Sequence, residues 1–175
     1  MSGETSAPVP LTALENQVAQ LVAGSSPERF DAALRSIAAS FAATTGTLHR
    51  ADVSSRLLHL VAHLGLPEFL IPITKQIPFG KGIAGQCAAA LEPITLCNLQ
   101  TDDSGKARPN AKQTGVAGAI AVPVLGPSGD LLGVLGVGKI QEHTYTDDEQ
   151  RVLKGCAAHI GCALSAGVTS GSTSA

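Results

Sequence analysis

The sequence predicts an α+β fold in a single domain: two helices, a set of strands broken by one short helix and a long loop, and a closing helix. Three observations carry this. Apolar residues recur at helical spacing as far as Phe41 and change to a strand-like period from Thr45. Two apolar runs, 119–125 and 131–139, flank Gly126-Pro-Ser-Gly-Asp130, whose residues are those of a hairpin turn. Thr146 and Glu149 have the spacing of a capping box, and Leu153, Cys156, Ala157, Ile160 and Leu164 follow at helical spacing.

Residues 1–10 are rich in Ser, Pro and Gly and are expected to be disordered, as is the tail 168–175. A first helix is expected over 11–24, with Leu11, Leu14, Val18, Leu21 and Val22 on one face, a capping box at Thr12 and Glu15, and Gly24 as its stop. The domain proper is placed at 25–167. It opens with a second helix, Ser26 as N-cap and Pro27 at the first position, whose face carries Phe30, Leu34, Ile37, Ala38 and Phe41.

Residues 47–50 and 56–64 are predicted to form an antiparallel pair. Strict alternation sets Leu58, Leu60, Ala62 and Leu64 on one face and Leu57, His59, Val61 and His63 on the other, so both faces are covered. Residues 69–77 read as an extended edge or irregular segment because of Pro67, Pro72 and Pro78. Ile83, Cys87 and Leu91 mark a short helix that Pro93 ends, 94–99 is a strand, and 100–118 is a long polar loop of the kind that is functional or mobile. Gly136 and Gly138 face the same way within the last strand, where interior glycines mark a bend or a close approach.

Composition bounds the function. The 175 residues suffice for one buried core without disulfides or metal, and with no Trp, one Tyr and four Phe that core is aliphatic. Twelve Lys and Arg are scattered against 14 Asp and Glu, which leaves no nucleic-acid footprint. No apolar run reaches the ~18 residues of a membrane helix. With no secretory signal and no C-x-x-C pair, Cys87, Cys97, Cys156 and Cys162 read as reduced thiols of a cytoplasmic protein.

Gly80-Lys-Gly-Ile-Ala-Gly85 fits the G-x-G-x-x-G dinucleotide fingerprint, and Asp102 lies 20 residues beyond Gly82 where a ribose-binding acid would stand. The context opposes it. Pro78 precedes the first glycine, the following helix stops before Pro93, and no β-α-β repeat follows. Gly133 to Lys139 imitates a phosphate loop, but Ile140 stands where Ser or Thr should bind magnesium, and the segment lies in a strand. His59 and His63 would be ~13 Å apart along a strand, too far to share a metal. Cys156, His159 and Cys162 recur every third residue on the last helix but lack a fourth ligand, so no metal site is assigned. Gly155, Ala157, Ala158, Gly161 and Ala163 make that helix thin, as for close helix packing in a dimer.

The segments Ile77-Pro-Phe-Gly-Lys-Gly-Ile-Ala-Gly85, Leu91-Glu-Pro-Ile-Thr-Leu-Cys-Asn-Leu99, Ala119-Ile-Ala-Val-Pro-Val124, Gly129-Asp-Leu-Leu-Gly-Val-Leu-Gly136 and Tyr145-Thr-Asp-Asp-Glu149 together resemble a GAF domain, a small-molecule sensory module related to the PAS fold. The resemblance covers about residues 27–166. It implies a central antiparallel sheet of five or six strands, with the second N-terminal helix and the C-terminal helix on one face. On the other face it implies a ligand pocket roofed by the 83–91 helix and the 100–118 loop. The candidate pocket residues are Phe79, Lys81, Ile83, Cys87, Cys97, Asn98, Asp102, Asn110, Lys112, Gln113, Ala119, Ala121 and Gly136, the last three leaving space over the sheet.

The chain is also similar to the free methionine sulfoxide reductases, which share the Ile-Pro-Phe-Gly-Lys-Gly segment. Their thiols fall near the positions of Thr74, Ala84 and Lys112, none of which is Cys, and the chemistry needs an attacking and a resolving thiol. The cyclic-nucleotide pattern of some GAF domains is met only by Lys139, Tyr145, Asp148 and Glu149, without its Asn; Lys139 and Asp148 are expected to pair. The expectation is a free-standing, non-enzymatic module that binds an unidentified small molecule, with no assigned cofactor. It would order its roof loop on binding and signal through the terminal helices of a homodimer, to a separate output protein if there is one. The alternatives are a thiol-based redox protein or free methionine sulfoxide reductase-like enzyme using Cys87 and Cys97, and a ligand-free dimerisation module.

Overall fold

The computed structural model describes residues 8–169. Helices α1 (Leu11–Val22) and α2 (Arg29–Ser40) come first, followed by strands β1 (Thr45–Asp52) and β2 (Leu57–Leu64). A helical stretch then leads through α3 (Ile71–Thr74) to β3 (Gln76–Pro78), α4 (Gly82–Ala90) and β4 (Ile94–Leu96). Strands β5 (Gly118–Leu125) and β6 (Leu131–Lys139) and helix α5 (Asp147–Thr169) complete the chain.

All six strands join one antiparallel sheet in the order β3-β2-β1-β6-β5-β4. Helices α2 and α5 cover one face, and α1 packs chiefly on them. Leu34 and Ile37 of α2 and Leu153 and Ile160 of α5 meet Leu48, Ile120, Val122 and Leu135 of the sheet, and Leu14 and Val18 of α1 close the cluster from outside. Every one of these side chains is essentially withdrawn from water. Burying each contributes roughly 1.5–3 kcal/mol, so this face holds most of the stability. α4 covers the opposite face through Cys87 and Ala88, against Leu58, Ala121 and Val134.

The sheet departs from strict alternation at two places, a register shift between Val124 and Leu125 in the β5–β6 pairing and another in the β1–β2 pairing. Leu48 pairs with Ala62 and His49 with Leu60, which leaves Val61 as the extra residue of a β-bulge. The bulge turns Leu58 to the α4 side while Ala62 and Leu64 join the α2–α5 side, so the four residues expected on one face are divided. His59 and His63, their neighbours, are divided likewise.

Other expectations are corrected by local chemistry. The 69–77 segment is mainly helical: a 3₁₀ turn at Glu68–Leu70 and α3 precede the short edge strand β3. Pro72 sits in the first turn of α3, where its missing N–H costs nothing. The 100–118 loop contains a 3₁₀ helix, Pro109–Thr114, ended by Gly115. Pro10, not Thr12, is the N-cap of α1, and Glu15 lies against Gly155 of α5. Ser26 precedes α2 by a full turn and bonds the Glu28 carboxylate at 2.6 Å. The expected tail begins within α5, which runs to Thr169, and Val9 packs on the helical core; residues 1–7 and 170–175 lie outside the described residues.

Candidate functional site

The glycine-rich stretch is a turn that seats α4. Gly80 and Gly82 have φ values of 87° and 66°, and a Cβ on Gly85 would stand 2.4 Å from the Pro78 carbonyl oxygen. The Gly80 amide donates to the Gly85 carbonyl at 2.7 Å and the Lys81 amide to the Pro78 carbonyl at 3.1 Å, so the first amides of the turn are spent on its own backbone. It delivers Ile83 and Ala84 over the sheet.

Beneath them is a cavity in two lobes that share Ile83, Ala84, Ala111 and Thr114, of about 150 Å³ and 140 Å³. The inner lobe lies on the sheet. Its floor is Ala119 and Ala121 of β5 with Gly136 and Gly138 of β6, and Thr45 and Thr47 of β1 add two hydroxyls. Small residues on neighbouring strands create this space, since β5 and β6 pair Ala119 with Gly138 and Ala121 with Gly136. The outer lobe runs between α3, the start of α4 and the 107–114 segment. Leu70, Ile73 and Ile77 give it apolar walls, and Lys81, Arg108 and Asn110 give it polar ones.

No Asp or Glu is among the residues that line either lobe, and neither Lys81 nor Arg108 has an ion-pair partner among the described residues. Gly82 makes the Arg108 position possible, because a Cβ there would stand 2.9 Å from Arg108 Cγ. The roof is fastened by amides: Gln86 Nε2 donates to the Lys106 carbonyl at 2.7 Å, and Gln100 Nε2 to those of Lys112 and Val116 at 3.0 and 2.8 Å.

His49 supports the wall from within the sheet. It is 1% exposed, and its Nε2 lies 2.9 Å from the Thr74 carbonyl, which can only accept, so Nε2 carries the proton. Nδ1 is then a bare acceptor with no partner among the described residues. Burial lowers the imidazole pKa, the bond to Thr74 opposes this, and His59 adds to the lowering.

Of the expected pocket residues, Lys81, Ile83 and Asn110 line the outer lobe, and Ile83, Ala119, Ala121 and Gly136 the inner one. The others do not line it. Phe79 stacks under Arg56, with the guanidinium 5.2 Å from the ring centre. Asn98 accepts from the Gln100 amide at 3.0 Å and bonds Glu142; Asp102 holds the Ser104 hydroxyl; Lys112 and Gln113 face solvent. Cys87 and Cys97 are not brought together. Cys87 is sealed in the cluster under α4, where desolvation pushes its thiol up to about 12. Cys97 is exposed beside Thr144, whose hydroxyl donates to its sulfur at 3.5 Å. The expected Lys139–Asp148 pair is also absent: Asp148 pairs with Arg151 at 3.1 Å, and the Lys139 ammonium lies over the Tyr145 ring.

Thr114, Arg108 and His49 were not singled out by the sequence, and Thr74 only as a position matching a reductase thiol. Arg108 left one signal, a cation within a loop expected to roof the pocket. His49 left none, because only the tertiary position of Thr74 gives its ring a partner.

Thr74 and Ala84, two of the three positions that match reductase thiols, both line the outer lobe, and Lys112 lies beside it on the roof; none supplies sulfur. The overall architecture is shared with several solved structures. The GAF domain of a phosphoenolpyruvate-protein phosphotransferase from Coxiella burnetii superposes with a TM-score of 0.79 at 20% identity, over 92% of this chain and 96% of that one. The corresponding domain from Acinetobacter gives 0.77 at 15%, over 92% and 96%. The free methionine-R-sulfoxide reductase from Neisseria meningitidis, in complex with its substrate, gives 0.76 at 18%, over 91% of each chain. At such identities these likenesses speak to the fold alone. No curated protein matches the sequence. A family model does, over residues 23–165, the span that holds the sheet, the α4 turn and the roof. With its motifs, strand order and α4-roofed cavity in agreement with that match, the chain belongs to the GAF domain family.

Proposed function

We propose that this chain is a non-enzymatic sensory or binding module whose two-lobed cavity takes a small, largely apolar molecule bearing one negatively charged group. The observation that carries the reading is the lining itself, apolar in both lobes, with Lys81 and Arg108 at the outer end and no carboxylate. Unpaired cations beside a low-dielectric cavity favour an anionic ligand. The start of α4, whose residues 82–84 line the outer lobe, adds the partial positive charge of a helix N-terminus. Binding would hold the 106–114 roof against α4, and the terminal helices of a homodimer would report it to a separate output protein. A redox role finds no support in the thiols: Cys87 is buried with a raised pKa, and Cys97 lies elsewhere. No helix among the described residues is long and apolar enough to cross a membrane.

Native mass spectrometry of the purified chain tests ligand and dimer together. A retained small anion, or a library acid that raises the melting temperature of the unaltered protein but not of Arg108→Glu, supports the reading. A bare monomer that no acid stabilises would sink it. Ala121→Leu, which fills the inner lobe while β5 keeps its pairing, should abolish the stabilisation without unfolding the protein.

A further inference from the structure

The threonine hydroxyls along the sheet cavity are not equivalent. Thr74 and Thr114 line the outer lobe, and Thr114 joins Thr45 and Thr47 in the inner one. Two of these side chains have spent their hydroxyls on the backbone. Thr74 Oγ1 donates to the Leu70 carbonyl at 2.8 Å, and Thr114 Oγ1 donates to that of Ala111 at 2.6 Å and accepts from the Val116 amide at 3.1 Å. Thr45 and Thr47 differ. Neither hydroxyl has a hydrogen-bond partner among the described residues, and neither is shut off from water.

The strand register keeps them open. Thr45 and Thr47 lie two apart on β1 and share its α4 face. Opposite them on β6 stand Gly138 and Gly136, and beyond these on β5 stand Ala119 and Ala121. Each threonine thus heads a cross-strand row that holds nothing longer than a methyl. The hydroxyls lean over the glycines: the Thr47 oxygen is 3.1 Å from the place of a Cβ on Gly136, and the Thr45 oxygen 2.6 Å from that of one on Gly138. Val116 crowds the Gly138 row at 2.7 Å, whereas the next atom over Gly136 is the Ile120 carbonyl oxygen at 3.6 Å, so Thr47 faces the roomier part of the floor. A hydroxyl can donate one hydrogen bond and accept two, and beside an apolar lobe it favours a ligand group that meets it. A second carboxylate is not that group. No Lys, Arg or His lines the inner lobe, so an anion there would lose its water without compensation.

We infer that the ligand is two-ended, an acid whose far end carries an uncharged hydrogen-bonding group such as a hydroxyl, and that Thr47 selects for that group. The inference rests on reading the cavity as an acid-binding site, with the charge held at Lys81 and Arg108, and adds the chemistry of the inner end. The apolar chain between the two ends passes Ile83 and Ala84, which line both lobes. Thr45 borders the same floor from the more crowded row.

Amide NMR titration of the full chain with three series of acids tests it: butanoate, hexanoate and octanoate, their ω-hydroxy counterparts, and the dicarboxylates of the same lengths. At the length that fits, the hydroxy acid should bind about three- to tenfold more tightly than the plain acid, the worth of one net hydrogen bond. Its shifts should be saturable at the Thr47 and Gly136 amides, and the dicarboxylate should bind more weakly than either. Thr47→Val keeps the side-chain shape and removes the hydroxyl, so it should erase or reverse the preference while leaving the plain acid's affinity unchanged; Thr47→Ser should restore it. Equal affinities of plain and hydroxy acids at every length, a dicarboxylate that binds more tightly than the hydroxy acid, or an undiminished preference in Thr47→Val would each overturn the inference and leave the acid-binding reading standing. An equal loss for both acids in Thr47→Val would make the residue structural and likewise reject the selection. If no acid of any series binds, both readings fall. Should Thr47→Val fail to fold, the ranking of the three series on the unaltered chain still decides.

Discussion

Two glycines of β6, three residues apart, should respond in opposite ways to a single added methyl. At Gly133 a Cβ would stand 2.1 Å from the His49 carbonyl oxygen, against the 3.4 to 4 Å of ordinary contact. The shortfall is 3.4 − 2.1, or 1.3 Å, and the obstructing atom is backbone of the strand paired with β6, since Arg50 lies opposite Gly133. Relief requires β1 and β6 to separate at the middle of the sheet. At Gly136 the nearest atom is the Thr47 hydroxyl at 3.1 Å, a shortfall of 0.3 Å that a side-chain rotation absorbs. Alanine there also recovers part of the ~0.5–1 kcal/mol that glycine costs in a strand. Gly136→Ala should therefore be neutral to within about 1 kcal/mol, and Gly133→Ala should lose about 3 kcal/mol or more, the upper end of overpacking costs. For a chain of this length 1 kcal/mol moves the melting temperature by about 2–4 °C. Thermal and urea unfolding followed by circular dichroism should place Gly133→Ala at least about 4 °C below Gly136→Ala. Equal melting temperatures would refute the packing argument, and with it the claim that open space lies above Gly136 but not at Gly133.

Three further outcomes follow from side-chain environments. An aromatic disulfide reagent at pH 8 should react with two of the four thiols in the folded protein, Cys97 and Cys162, and with all four in urea; Cys87 and Cys156 are buried with thiols pushed up to about 12, and fast reaction of Cys87 would revive the redox reading. Because the folded-state pKa of His49 is depressed below its ordinary 6.5, the unfolded chain takes up that proton first as pH falls, so stability is full above the unfolded value and declines below it. Urea midpoints should drop between pH 7.5 and 5.5, and His49→Gln should flatten the slope; an unchanged slope assigns it elsewhere. The Thr146 and Glu149 pair closes a reciprocal cap, with Glu149 N–H to Thr146 Oγ1 at 3.1 Å and Thr146 N–H to Glu149 Oε2 at 2.9 Å. Thr146→Ala should cost about 1 kcal/mol, and no change in the urea midpoint would mean that the cap adds nothing beyond packing.

What the sequence disclosed, it disclosed through short-range chemistry. β6 occupies the predicted residues 131–139, its hairpin closes through Gly126 N–H to the Asp130 carbonyl at 2.8 Å, and the α5 cap uses the predicted pair. Each depends on residues within five positions of one another. The Val61 bulge escaped notice because it is a property of the β1–β2 pairing, and a two-residue period cannot show a skipped residue. The same limit governs the site. Ala119, Ala121 and Gly136 could be read as space because smallness is visible in one residue, whereas the role of His49 exists only through Thr74, 25 positions away.

The glycine fingerprint shows how a misleading local pattern can still point to the correct place. In a dinucleotide fold such glycines expose backbone amides to phosphate. Here they serve their neighbours. Gly85 lets α4 close on the Pro78 carbonyl, and Gly82 leaves room for the stem of Arg108, which arrives from the roof 26 residues later. A side chain at Gly82 would meet both the strain of φ +66° and Arg108 itself. An anion drawn to this end of the cavity would thus be met by two side-chain cations, Lys81 from the turn and Arg108 from the roof. Since they come from separate segments, a ligand that bridges them also ties the roof to α4, reinforcing the Gln86 bond to Lys106. Under the proposed function, holding the ligand's charge and ordering the loop would be one event.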